Sequence, residues 1–175
     1  MWSTPPLVVP ARRFASMPEA WRRPRRSAWA DANRGGAAID SFLEGPCLDA
    51  AGELLVTDIP NGRIFRVRPA GWDLLVEYDG WPNGMAAKGA VGGGAGQDFL
   101  IADYRHGLLG LDAATGAIAP VLETVLSEGF RGLNDLVVQA DGAVLFTDQG
   151  QSGLQDPSGR VWRRWPDGRL DRLIG

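Results

Sequence analysis

The sequence has one cysteine, Cys47, and one histidine, His106. A lone cysteine excludes an internal disulfide and any multi-cysteine metal site, and leaves Cys47 the role of a small buried hydrophobe. With a single histidine, any Ser–His or Cys–His catalytic pair would have to use His106, and no nucleophile-elbow pattern occurs. No apolar run approaches the ~18 to 20 residues of a membrane-spanning helix. The opening Met1-Trp2-Ser3-Thr4-Pro5-Pro6 lacks the charged-then-apolar layout of a secretory signal. The reading is a soluble, cytoplasmic protein with no membrane partner. The run Gly92-Gly93-Gly94-Ala95-Gly96 lacks the trailing Gly-Lys-Ser/Thr and the following helix of a phosphate-binding loop.

Apolar residues make up 45% of the 175 positions and charged residues 22%, which suits a domain with a real core rather than a disordered chain. The net charge of -3 hides a division. Residues 1–40 carry seven Arg against three acids, whereas residues 41–175 carry eleven Lys+Arg against eighteen acids. An acidic body argues against a nucleic-acid surface and suits a cation site. The cluster Arg22-Arg23-Pro24-Arg25-Arg26 reads as a solvated charge run.

The strongest signal is a repeat. Val56-Thr57-Asp58, Ile101-Ala102-Asp103 and Phe146-Thr147-Asp148 place their aspartates 45 residues apart, twice. Turn-like Asp49-Ala50-Ala51-Gly52 and Gln139-Ala140-Asp141-Gly142 precede the first and third copies; the middle copy has a glycine-rich insertion instead, read as flexible. Alternating runs follow each Asp: Arg63-Ile64-Phe65-Arg66-Val67, Gly107-Leu108-Leu109-Gly110-Leu111 and Arg160-Val161-Trp162-Arg163-Arg164-Trp165. Fourth strands are expected at Asp73–Tyr78 and Arg169–Ile174. Four short antiparallel strands per 45 residues is the pattern of a β-propeller blade. The predicted fold is therefore all-β, with an arm over 1–40 and three blades at about 41–80, 81–127 and 128–175. Three blades cannot surround a channel, so the chain is expected to be a piece of a longer protein or to self-associate through an exposed blade flank. In the arm, Leu7–Phe14 is expected as an outer strand. Ser16–Trp21 reads as a helical turn capped by Ser16, with Trp2, Trp21 and Trp29 packing the arm onto the blades.

In an up-and-down blade the first strand starts, and the second ends, at the same mouth. Two groups then converge there: Glu44, Asn83, and Arg131 with Asn134-Asp135, ahead of the inner strands; and Asp58, Asp103 with Arg105-His106, and Asp148-Gln149. Glu44 and Asn134 each precede their strand-ending Asp by 14 residues, so they are equivalent positions. Carboxylate and amide oxygens gathered from separate blades are what a hard cation such as calcium requires. The repeated aspartates read first as loop caps, and Asn83-Gly84 and Asn134-Asp135 are also readable as turn residues. Glu44, ahead of Gly45-Pro46, has no such turn role.

From Ala28 to Gly175 the chain resembles the calcium-dependent lactonase family that includes gluconolactonase and regucalcin (senescence marker protein). The likeness is carried by Phe42-Leu43-Glu44-Gly45-Pro46, Thr57-Asp58-Ile59-Pro60, Trp81-Pro82-Asn83-Gly84-Met85, Leu133-Asn134-Asp135-Leu136 and Phe146-Thr147-Asp148-Gln149-Gly150. The resemblance implies a six-bladed propeller and a divalent ion, calcium foremost with zinc, manganese or magnesium as alternatives. Glu44 would be a ligand, and a small lactone the substrate. Asn134 and Asp135, with Arg131 and Asn83, would be substrate contacts. Arg131 stands one residue further from the Asn-Asp pair than in the family. The family's other two metal ligands lie beyond the third blade, so weak metal binding and little or no turnover are expected of these 175 residues alone. Two other readings are an arylesterase-like propeller using His106 and a non-catalytic propeller segment for binding or assembly.

Overall fold

The computed structural model describes residues 7–89 and 98–175. Trp2 and the insertion at 90–96 lie outside the described residues. Three four-stranded antiparallel sheets form, each with its strands in sequence order. Blade 1 comprises β1 (Leu43–Leu48), β2 (Leu54–Asp58), β3 (Arg63–Arg68) and β4 (Gly71–Glu77). Blade 2 comprises β5 (Pro82–Ala87), β6 (Phe99–Asp103), β7 (Gly107–Leu111) and β8 (Ile118–Leu122). A short hairpin, β9 (Thr124–Val125) and β10 (Glu128–Gly129), leads into blade 3. That blade comprises β11 (Leu133–Val138), β12 (Val144–Asp148), β13 (Arg160–Arg164) and β14 (Leu170–Ile174). The innermost strands β1, β5 and β11 lie side by side, so the sheets are successive blades of a partial β-propeller.

Burial patterns follow from the stacking. Every residue of β6 and β7 is buried, because blade 2 is covered on both faces. Leu55 and Ile64 of blade 1 pack on Met85, Phe99, Ile101, Leu109 and Leu111, with half-buried Cys47 against the same core. On the other face of blade 2, Leu100, Ala102 and Leu108 meet Leu133, Leu136, Val144, Phe146 and Trp162. Strand β12 alternates, since blade 3 has only one covered face among the described residues; Val137 and Ile174 are 53% and 64% exposed.

The arm closes the first blade's outer face. Met17, Ala15 and Trp21 pack on Val56, Phe65, Val67 and Trp72, and Trp21 meets the Phe65 ring edge-on at 5.4 Å. A short helix, α1 (Ala28–Arg34), is capped by the Ser27 hydroxyl, which accepts from Ala30 N at 3.2 Å; left-handed Gly35 ends it. It buries Trp29, whose ring lies 5.0 Å from Phe42. Two arm expectations are corrected. Residues 7–14 form no strand: they join no sheet ladder, and Leu7 and Val8 are exposed. The helical turn is a single 3-10 turn, Glu19–Trp21, with Pro18 and not Ser16 at its cap and no side-chain cap bond. The arginine cluster is spent within the arm and its blade: Arg22 pairs with Asp40 at 2.7 Å, Arg26 with Asp31 at 2.5 Å, and Arg25 donates to Asn61 Oδ1 at 2.8 Å.

Candidate active site at the blade mouth

The three repeated aspartates sit at one register position. Asp58 pairs with Leu43, Asp103 with Pro82 and Asp148 with Leu133, each at the start of its blade's innermost strand. All three are fully buried and saturated with donors. Asp58 accepts from Phe42 N at 2.8 Å and Asn61 Nδ2 at 3.0 Å, and forms a buried ion pair with Arg63 at 2.6 Å. Asp103 accepts from the Arg105 and His106 amides at 2.8 and 2.9 Å and from the Tyr78 hydroxyl at 2.8 Å. Burial and the Asp103 charge push the Tyr78 phenol far up, keeping it a neutral donor. Asp148 accepts from the Arg131 and Gly132 amides at 2.7 and 3.0 Å and from Trp162 Nε1 at 3.3 Å. A carboxylate so occupied staples a loop to a sheet and has little capacity left for a ligand.

One residue further along each inner strand, the chemistry changes. Glu44, Asn83 and Asn134 occupy equivalent positions, followed by Gly45, Gly84 and Asp135. All lie within strands, so the turn reading of Asn83-Gly84 and Asn134-Asp135 does not hold. Just beyond the Asp pairing, each inner strand carries one extra residue relative to its neighbour, a β-bulge of the kind that re-aims side chains at a rim. The glycines let adjacent blades meet. A Cβ on Gly84 would stand 2.2 Å from Asp135 Oδ1, and one on Gly45 would stand 2.4 Å from the Asn83 carbonyl.

The result is a crown of oxygens spanning three blades. Asn134 Nδ2 reaches Asn83 Oδ1 at 3.4 Å, and the Asn83 carbonyl accepts from the Thr57 hydroxyl at 2.8 Å. Asn83 is buried and Glu44 half-buried. Burial raises the Glu44 carboxyl above its ordinary value, and the charge of Asp135 raises it further. Two acids and two amides are the donor chemistry a hard divalent ion takes, and its charge would lower the Glu44 carboxyl again. Among the described residues, no group of three or more His, Cys, Asp or Glu side chains converges; the acids of the crown are a pair.

Arg131 is not brought to this crown. Its guanidinium donates to Ser158 and lies 4.0 Å from Asp156, in the loop between β12 and β13. His106 is also set aside: its Nε2 contacts the Asp79 carbonyl at 2.6 Å, in a loop where Arg105 pairs with Asp79. A feature the sequence reading passed over is the tilted ring pair Trp81 and Tyr104, with ring centres 5.3 Å apart and Tyr104 accepting from Gln151 at 3.0 Å. Their place immediately before β5 and after Asp103, at the mouth end of the blade, was the available signal.

Comparison with known proteins agrees with this architecture. No curated protein matches the chain. A gluconolactonase structure from Xanthomonas campestris, described as important in glucose secondary metabolic pathways, is 25% identical over 95% of this chain, with a TM-score of 0.64. Regucalcin from Agrobacterium tumefaciens, a calcium-binding protein, is 21% identical over 76% of the chain and 43% of its own, with a TM-score of 0.56. Virginiamycin B lyase from Staphylococcus aureus shares the fold at 14% identity over 78% of this chain and 42% of its own, with a TM-score of 0.56. The chain spans 49% and 60% of the length of two gluconolactonase structures that it matches. Residues 42–175 match the family model described as SMP-30/Gluconolactonase/LRE-like region, and the chain belongs to that family.

Proposed function

We propose that the chain carries the first part of the mouth of a gluconolactonase-type hydrolase, opening a sugar lactone or a related lactone. The observation that supports this best is the crown itself: Glu44 with its raised carboxyl pKa, beside Asp135, Asn83 and Asn134 at equivalent inner-strand positions. Glu44 is the metal ligand in this reading, and Asn134, Asp135 and Asn83 contact the substrate. Arg131 belongs to the same substrate group only if its guanidinium leaves Ser158. A bound divalent cation, calcium foremost, would supply Lewis-acid polarisation of a lactone carbonyl and a water of lowered pKa. The amides of Asn83 and Asn134 orient ring hydroxyls by donating and accepting, and Asp135 accepts from them. Trp81 and Tyr104 form an aromatic wall near the same end.

With Glu44 as the single carboxylate ligand in this reading, a divalent ion is held weakly. Calcium titrated against the purified chain is expected to bind in the millimolar range, with Glu44→Gln removing most of the affinity. Gluconolactone turnover is expected at or near the buffer rate. Calcium affinity unchanged by Glu44→Gln would contradict the ligand assignment, and turnover well above buffer would contradict the expected weakness of the chain alone.

A further inference from the structure

On the arm side of the mouth lies an open cavity of about 480 Å³, within the size range of small-molecule sites. The loops after β2 and β6, the segment leading into β5 and the arm just ahead of α1 frame it, so it opens at the same blade ends as the crown. Two bordering residues are aromatic. The Tyr78 hydroxyl is engaged by Asp103, so its ring is what it offers the cavity. Trp81, half-buried, meets Tyr104 and also borders the cavity. Four bordering residues are charged, two of each sign: Arg25 and Arg105, Glu77 and Asp79. Arg105 pairs with Asp79, and Arg25 Nε donates to Asn61 Oδ1 at 2.8 Å.

A lining of balanced charge favours neither a cation nor an anion over a neutral ligand. Its carboxylates accept from hydroxyls and its guanidinium groups donate to them. An aromatic face beside such groups suits the C–H face of a pyranose ring, whose equatorial hydroxyls project sideways. The cavity is also tied to the crown. The Trp81 carbonyl accepts from Asn83 Nδ2 at 3.0 Å and from the Tyr104 amide at 3.0 Å. Trp81 and Asn83 stand two residues apart at the entry to β5, about 7 Å along an extended chain. A ligand ring beside Trp81 and a second ring at Asn83 are thus neighbours, as the two rings of a disaccharide are.

We propose that this cavity binds a neutral pyranose, the glycosyl unit of a lactone-ended disaccharide whose lactone ring lies at the crown. The sugar site stands on the cavity itself; its link to a lactone rests on the lactonase reading above. NMR titration of the purified chain with cellobiose, and with glycerol as a ringless polyol, tests it by following the Trp81 indole signal. Cellobiose is expected to bind saturably in about the millimolar range, to shift that signal, and to bind more tightly than glycerol. Trp81→Leu should weaken cellobiose about tenfold, read by saturation transfer to the sugar C–H protons. Glu77→Gln, at the exposed rim, should weaken it about threefold and gives a second measure should the first variant fold poorly. An unmoved Trp81 signal, cellobiose no tighter than glycerol, or affinity unchanged in both variants would overturn the proposal. Calcium titration of Glu44→Gln tests the lactonase reading separately, so the failure of one is told from the failure of the other.

Discussion

The buried aspartates and the crown beside them are adjacent residues of one repeated motif, yet they do opposite things. Asp58, Asp103 and Asp148 are fully buried, and each has two or more donors from loop, strand or arm. Glu44 and Asp135 stand one and two positions along their inner strands, and burial together with the Asp135 charge pushes the Glu44 carboxyl up. A polar group whose bonds are complete maintains the fold, whereas one left electrostatically unsatisfied at a rim is available for a ligand. Identical spacing in the sequence therefore conceals two classes of residue, separated by what each oxygen already touches.

The largest effect that would sharpen this contrast lies among the staples. Asp58→Asn would leave Arg63, which is 2% exposed, as an uncompensated buried charge, at a cost of about 3–5 kcal/mol. Urea unfolding measures it, and a loss below about 1 kcal/mol would demote the staple to a surface ion pair. A smaller effect is expected of Gly84→Ala. Its Cβ would stand 2.2 Å from Asp135 Oδ1 and 2.8 Å from Asp135 Cα, so blades 2 and 3 must separate slightly, at about 1–3 kcal/mol. A neutral thermal melt for this variant would mean that the blades are not held at that spacing.

The smallest effect on stability belongs to Glu44→Gln, and its sign is opposite. The folded-state pKa of Glu44 lies above the unfolded one, so the folded chain binds more protons between those two values. Stability then falls as pH rises through that window from the ordinary glutamate value, and the amide removes the fall. The variant should match the parent in acid and slightly exceed it at neutral pH, as read by paired urea titrations. A destabilised Glu44→Gln at neutral pH would place Glu44 among the staples.

Much of this was legible in the sequence because the staple position recurs every 45 residues, and a repeat is visible where a lone strand is not. The equivalence of Glu44 with Asn134 followed from that count; Asn83 was harder to align because the insertion lengthens its blade. The direction of Arg131 was not legible, since its interactions with Ser158 and Asp156 depend on a loop distant in sequence. Leu7–Phe14 was misread because an apolar stretch signals a strand only where a partner edge exists. The β9–β10 hairpin went unseen because its turn residues, Leu126 and Ser127, both have positive φ without the usual Gly or Asn. Helix α1 had its cap signals, Ser27 and Gly35, but at seven residues it is too short for a clear period.

The most direct measurement is a carbon-detected NMR titration of the Glu44 side-chain carboxyl, with and without calcium and in Asp135→Asn. The account predicts a midpoint above the ordinary glutamate value of 4.5 in the parent, moved down by Asp135→Asn and moved down by calcium. A midpoint at the ordinary value that responds to neither would contradict the crown as a cation site.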